Sequence, residues 1–146
     1  MNQIKLFEFC SREDLESIAD HCEFREFNSG EQIIEKGEPG DGMYMIDEGV
    51  VEVRLEESAE PVAEFGDGDY FGEMSILDNQ PRSAHIFGSR SGRVLFFSKR
   101  GFQSMLPKST KTVGKVMYVF ARTLSRRLRD TNRQLRDLKD QVDDQA

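Results

Sequence analysis

The sequence contains few of the residues that metal sites, disulfide frameworks and catalytic sets require. It has no tryptophan, and only two histidines and two cysteines occur in 146 residues. Cys10 and Cys22 form no C-x-x-C motif, and His21 and His85 lie far apart in the chain. Because metal enzymes use several histidines with carboxylates, and no nucleophile with a base stands out, we expect no enzyme activity, no metal and no cofactor. We expect reduced, partly buried thiols, since the spacing gives no support for a disulfide.

Long apolar runs are also missing. No stretch approaches the roughly 20 apolar residues that a membrane span needs. The first ten residues, "MNQIKLFEFC", lack the basic start and long apolar stretch of a secretory signal. We therefore expect a cytoplasmic protein that makes no membrane contact. With 37% hydrophobic and 32% charged residues, the chain has the composition of one globular domain with a core.

The net charge of −7 argues against general nucleic-acid binding, but the charge is unevenly distributed. From Thr112 onward, eight lysines and arginines outnumber five aspartates, a surplus of three positive charges. The rest of the chain then carries −10. We infer that the two parts have different roles.

Two short helices are predicted on either side of a β-rich region. Ser11 can cap the first, "SREDLESIADHCEF", with Asp14 as its capping-box partner, and Leu15, Ile18 and Cys22 then fall on one face. The second, "SKRGFQSML", begins after a serine and ends before a proline, as helices commonly do.

Between about residues 24 and 97 the pattern changes to short alternating runs such as "MYMI", "VVEVRLE" and "RVLFF". In the second run, Val51, Val53 and Leu55 point to one side, which is the period of a strand. Glycines punctuate these runs, as tight turns require. The pattern predicts a mainly β fold with flanking helices: an antiparallel, jelly-roll-like β-roll with an N-terminal helix and a long C-terminal helix.

The C-terminal region predicts one long helix from about Thr110 to the end. A heptad seam runs along it, spaced alternately by four and three residues. The seam comprises Met117, Ala121, Leu124, Leu128, Thr131, Leu135, Leu138 and Val142. A helix of about 45 Å is too long for the roll to cover, so we expect a parallel homodimer. The alternative is that its first half packs on the roll and its tail frays.

The segment "YFGEMSILDNQPRSAHI" places a carboxylate near a guanidinium between two predicted strands. Gly72 and Glu73 can open a helical turn, and Arg82 with Ser83 can then hold a phosphate. A carboxylate would repel a bare phosphate but would accept a hydrogen bond from a ribose hydroxyl. Phosphate on Arg82 and ribose on Glu73 fit a 3′,5′-cyclic nucleotide; a salt bridge between these two side chains is the structural alternative.

The stretch "FGEMSILDNQPRSA" closely resembles the phosphate-binding cassette of the cyclic nucleotide-binding domain family. That family includes the catabolite activator protein and the regulatory subunits of cyclic-AMP-dependent protein kinase. "EKGEPGDGMYMIDEGVVEV" and "ARTLSRRLRDTN" are similar to its early roll strands and to its helix after the hinge. The resemblance implies a binding domain over residues 1–111 and a lid and dimerisation helix over 112–146.

The resemblance also implies roles for individual residues. Gly72 would make a backbone contact and Glu73 the ribose contact, while Arg82 and Ser83 would hold the cyclic phosphate. Ala84 would donate from its backbone. The complete set of predicted ligand-binding residues is Phe71, Gly72, Glu73, Met74, Arg82, Ser83, Ala84, Thr131 and Asn132.

Thr131 and Asn132 concern the base. In the catabolite activator a Thr-Ser pair follows a similar stretch and contacts the adenine amine across the dimer. The resemblance therefore implies cAMP over cGMP, although Asn132 departs from the pattern and could donate to a guanine carbonyl. The alternative is that Thr131 only sets the register of the coiled coil.

A ligand that touches both the cassette and the long helix would shift the position of that helix. We expect a sensor that acts on a protein effector and does not bind nucleic acid directly. Two alternatives stay open: a sensor fragment of a transcription factor that lacks its helix-turn-helix domain, and a degenerate domain used only for dimerisation.

Overall fold

The computed structural model describes residues 3–145. After a single 3-10 turn, Lys5–Phe7, the elements follow in this order: α1 (Arg12–Ala19), β1 (Cys22–Phe27), β2 (Gln32–Ile34), β3 (Gly42–Arg54), β4 (Ala63–Phe65), β5 (Tyr70–Phe71), α2 (Met74–Leu77), β6 (His85–Ser98), α3 (Lys99–Met105) and α4 (Thr110–Gln145). No helix in this part of the chain is both long enough and apolar enough to cross a bilayer.

Six antiparallel strands form one sheet around the long pair β3 and β6. The order is β1-β6-β3-β4, with β2 also paired to β6 and β5 also paired to β3. The register of β3 and β6 shifts between Ile46 and Val51, where a bulge bends the pair. Gly49 has a φ of 113° there, and a Cβ on Gly92 would lie 1.9 Å from the Glu48 carbonyl oxygen. The predicted mainly β fold with flanking helices is confirmed.

Successive side chains of a strand point to opposite faces of the sheet, and this divides the apolar residues between two cores. On β3, Met43 and Met45 face a core shared with the helices, whereas Tyr44 and Ile46 face the interior of the roll. The shared core also takes in Leu6, Ile18, Phe97, Phe102, Val116 and Phe120. The roll interior takes in Phe27, Ile34, Val51, Phe71, Ile86, Val94 and Phe96.

The short helices begin where the sequence predicts. The Ser11 side chain accepts from the Asp14 backbone, and the Asp14 side chain accepts from the Ser11 backbone. Ser98 caps α3 by accepting a hydrogen bond from the Gly101 N–H at 2.9 Å. One boundary prediction was wrong, because α1 ends at Ala19 and Cys22 is the first residue of β1.

The strand predictions also need one correction. "MYMI" and "VVEVRLE" belong largely to one 13-residue strand, β3, which ends at Arg54. Val51 is fully buried, but Leu55 lies beyond the strand and is half exposed because the chain turns away there. Both cysteines are free, as predicted, and burial raises the pKa of the Cys22 thiol to about 12.

Helix α4 is continuous over 36 residues, or about 54 Å at 1.5 Å per residue. Its buried side chains all lie in the first third: Thr112, Val113, Val116, Val119 and Phe120. None of them belongs to the predicted heptad seam. Because the helix extends past the roll, the later residues of the seam are more than half exposed: Leu128, Leu135, Leu138 and Val142.

Candidate functional site

The turn after β5 depends on a glycine. Gly72 has a φ of 79°, a conformation that glycine adopts without the steric cost a Cβ imposes. A Cβ at this position would also lie 2.8 Å from the Arg82 Nη1 atom. Glu73 follows as the N-cap residue of α2, and Ser75 Oγ donates to the Gly42 carbonyl at 2.9 Å. These contacts fix the short helix against β3.

Arg82 is buried, at 8% exposure, and is held by neutral oxygen acceptors. Its Nη2 atom donates to the Gly42 carbonyl at 2.8 Å, and Nη1 donates to the Gly72 carbonyl at 3.1 Å and to Ser75 Oγ at 3.2 Å. The one charged partner is the Asp41 carboxylate, which accepts a long hydrogen bond from Nη2 at 3.4 Å but is largely exposed to solvent. Within residues 3–145, the buried Nε atom has no hydrogen-bond partner. The guanidinium is therefore fixed in position while its charge is only weakly compensated.

Glu73 and Arg82 do not form the salt bridge that was the structural alternative to a ligand site. The Glu73 carboxylate is 3% exposed, and its Oε1 atom accepts from Arg127 Nη1 at 2.5 Å. Arg127 belongs to α4, 54 residues further along the chain, and its guanidinium lies 6.0 Å from the Phe65 ring centroid. This contact joins the cassette directly to the long helix.

Sequence reasoning missed Arg127. This residue is off the heptad seam, and no local pattern distinguishes it from the neighbouring arginines. Only the placement of α4 across the roll brings it to Glu73. A second contact beside it is equally long-range, because Tyr70 Oη donates to Thr123 Oγ1 at 2.8 Å. Burial raises the pKa of the Tyr70 phenol, so it remains a donor.

A cavity of about 430 Å³ opens between the cassette, the roll and Arg127. Seven of the nine predicted site residues line it: Phe71, Gly72, Glu73, Met74, Arg82, Ser83 and Ala84. Its other walls are largely apolar and include Ile34, Val53, Ala63, Phe65 and Ile86. The volume is within the range of ligand pockets, and the walls suit a molecule with one anionic end and a flat, weakly polar remainder.

Thr131 and Asn132 are not part of this cavity within one chain. Both are exposed on α4, one turn beyond Arg127. Within residues 3–145, no group of three or more histidine, cysteine, aspartate or glutamate side chains is placed to hold a metal ion.

A buried carboxylate ties α1 to the start of α4. Asp14 accepts from Thr112 Oγ1 and from Lys115 Nζ, each at 2.5 Å, and from the Ser11 N–H at 2.7 Å. Burial alone would raise the pKa of the Asp14 carboxyl, but these hydrogen bonds outweigh it and hold the pKa well below its usual value. The start of α4 is therefore anchored to the N-terminal helix α1.

Curated proteins with similar sequences are regulatory subunits of cAMP-dependent protein kinase. The Emericella nidulans subunit is 38% identical over 89 residues, which are 61% of this chain and 22% of that protein. The Drosophila melanogaster type II subunit is 28% identical over 109 residues, covering 73% of this chain and 29% of that protein. The chain thus spans less than a third of the length of these relatives.

Solved structures show the same fold. The Thermus thermophilus catabolite activator protein superposes with a TM-score of 0.79 at 25% identity, covering 92% of this chain and 63% of that one. The regulatory subunit of a cAMP-independent protein kinase A from Trypanosoma brucei superposes with a TM-score of 0.71 at 29% identity. The match covers 82% of this chain and 41% of that one. The sequence model of the cyclic nucleotide-binding domain matches residues 24–109, and the chain belongs to that family.

Proposed function

We propose that this chain is a non-catalytic sensor module that binds a cyclic nucleotide, cAMP in preference to cGMP. The observation that carries the proposal is the buried, weakly compensated Arg82 in the wall of an apolar cavity that also contains Glu73. A guanidinium in a largely apolar setting binds a phosphodiester strongly. Similarity to the Emericella nidulans and Drosophila melanogaster subunits supports cAMP as the ligand.

The cavity supports one orientation of the ligand. The cyclic phosphate would lie against Arg82, Ser83 and the Ala84 backbone, and the ribose 2′-OH would donate to Glu73. Arg127 occupies only one oxygen of that carboxylate, and a carboxylate can accept several hydrogen bonds. The base would then lie against Val53 and Phe65.

The Glu73–Arg127 contact supports a switch. A ligand that hydrogen-bonds Glu73 changes the strength of its ion pair with Arg127, and therefore the position of α4 that is most stable. Hydrogen exchange over residues 101–115, which span the end of α3, the connection and the start of α4, should change when nucleotide is added. Unchanged exchange there would leave a binder without a switch.

The exposed seam supports a parallel homodimer through α4. In such a dimer, Thr131 or Asn132 of one chain can contact the base bound to the other. The substitution Thr131→Ala should then reduce the preference for cAMP over cGMP. If both affinities are unchanged, Thr131 serves only to set the register of the coiled coil.

The direct test is calorimetry on ligand-stripped protein with cAMP and cGMP. Arg82→Ala should weaken binding by at least roughly 30-fold, which corresponds to the loss of one partner of a buried charge pair. Because Arg82 also holds the Gly42 and Gly72 carbonyls, the unfolding midpoint must be measured in parallel. Unchanged affinity in a folded Arg82→Ala variant would refute the assignment.

The output of the sensor is a protein partner. Relatives that are kinase regulatory subunits favour a kinase catalytic subunit as the effector. The superposition on the catabolite activator favours a second candidate, the sensor part of a transcription regulator. Pull-down with and without cAMP, followed by identification of the captured proteins, separates the two.

A further inference from the structure

A second cavity lies beside the first, on the other side of Arg127. Its volume is about 380 Å³, and Phe65 and Arg127 line both cavities. It is bounded by the N-terminal 3-10 turn, by the β4–β5 region and by α4. Nothing in the cyclic-nucleotide site requires it.

The walls of this second cavity carry a surplus of positive charge. Lys5, Arg122, Arg126 and Arg127 face two carboxylates, Glu8 and Asp69. Three of the four cations have a carboxylate partner: Lys5 pairs with Asp69 at 2.5 Å, Arg122 with Glu8, and Arg127 with Glu73 of the first cavity. The surplus charge is that of Arg126.

One cation of this cavity is left over, because Arg126 forms no ion pair with any of residues 3–145. Arg122 pairs with Glu8 through its Nη2 atom alone. The two arginines are four residues apart on α4, so they lie on one face of the helix. Guanidinium groups placed in this way can bind the oxygens of one phosphate together.

We propose that the second cavity is a binding site for a small phosphorylated ligand, separate from the cyclic-nucleotide site. Arg122 and Arg126 hold the phosphate, and the Phe65 ring faces the rest of the ligand. The volume is within the range of small-molecule sites. Arg122 and Arg126 are both off the heptad seam, so a dimer formed through the seam would not need to cover them.

Pyrophosphate is the probe, titrated calorimetrically into the full chain without divalent cations. One pyrophosphate should bind per chain, and Arg126→Ala should weaken binding at least about tenfold, the effect of losing one charge-assisted contact. Arg136→Ala is the matched control, because it removes the same charge from an exposed position further along α4. It should leave the affinity within about twofold of the wild-type value, the shift expected for a charge more than a Debye length away.

The Arg82→Ala variant distinguishes the two cavities. Pyrophosphate that enters the nucleotide site would lose affinity in Arg82→Ala and not in Arg126→Ala, and that outcome overturns the proposal. No binding to the wild type, or equal losses in Arg126→Ala and Arg136→Ala, overturns it as well. Cyclic-nucleotide binding is measured separately without pyrophosphate, so failure of one site is not confused with failure of the other.

Discussion

Replacing Glu73 by glutamine tests whether this carboxylate binds the ribose or only holds the long helix. The carboxylate is 3% exposed, with one oxygen on Arg127 at 2.5 Å. Its other oxygen is the proposed acceptor for the 2′-OH of the nucleotide. Glutamine keeps the shape of the side chain but removes the negative charge.

The size of the effect follows from the burial. A hydrogen bond to a charged group contributes about 1.5–3 kcal/mol, and at 3% exposure little solvent screening reduces it. In Glu73→Gln the amide oxygen stays on the Arg127 donor, so the NH2 group faces the ribose and cannot accept from the 2′-OH. The variant should therefore bind cAMP roughly 10- to 150-fold more weakly. The wild type should bind 2′-deoxy-cAMP more weakly than cAMP by a similar factor, because 2′-deoxy-cAMP lacks the hydroxyl that donates to Glu73.

The assay is a four-way comparison by calorimetry: two proteins and two ligands. If Glu73 binds the ribose, the substitution and the removal of the 2′-OH abolish the same hydrogen bond, so their effects on affinity do not add. The variant should then bind cAMP and 2′-deoxy-cAMP with nearly equal affinity. Glu64→Gln is the matched control, since Glu64 is exposed on β4 between two residues that line the cavity. If Glu73→Gln weakens both ligands equally and keeps the full difference between them, the carboxylate acts only through Arg127.

Three further predictions address the turn, the anchor and the seam. Gly72→Ala should cost about 1–2 kcal/mol of stability because of the φ of 79°, whereas Gly114→Ala, in an open position on α4, should be neutral or slightly stabilising in urea unfolding. Asp14→Asn should cost about 1–2 kcal/mol at neutral pH, because it loses hydrogen bonds to a charged acceptor. Because the pKa of Asp14 is lowered in the folded protein, its contribution to the free energy of unfolding is present above the unfolded-state pKa of about 4 and is lost as pH falls further. Below that pH, the free energy of unfolding should therefore fall less steeply in Asp14→Asn than in the wild type. Leu135→Asp should convert a dimer into a monomer in sedimentation velocity, whereas Arg136→Asp, off the seam, should not.

Each of these has an outcome that contradicts it. Equal stabilities of the two glycine variants would mean that the turn after β5 tolerates a Cβ. Parallel pH profiles for Asp14→Asn and the wild type would mean that Asp14 keeps an ordinary pKa in the folded protein. A wild type that sediments as a monomer would remove the basis for dimerisation through α4.

The sequence by itself determined the local features of this protein. The Ser11–Asp14 capping box, the serine cap of α3 and the extent of α4 were predictable because each depends on residues a few positions apart. The alternation along β3 and the glycine after β5 were predictable for the same reason. The cassette could be recognised because its distinctive residues, the Gly72–Glu73 pair and the Arg82–Ser83 pair, lie within one short segment.

The tertiary structure decided everything that joins distant parts of the chain. Glu73 meets Arg127 across 54 residues, and Asp14 meets Lys115 across 101, only because α4 packs against both the cassette and α1. The division of β3 side chains between two cores, and the second cavity beside Arg127, arise in the same way. Such contacts depend on how burial of apolar faces orients whole elements, and a local sequence pattern contains no record of that orientation.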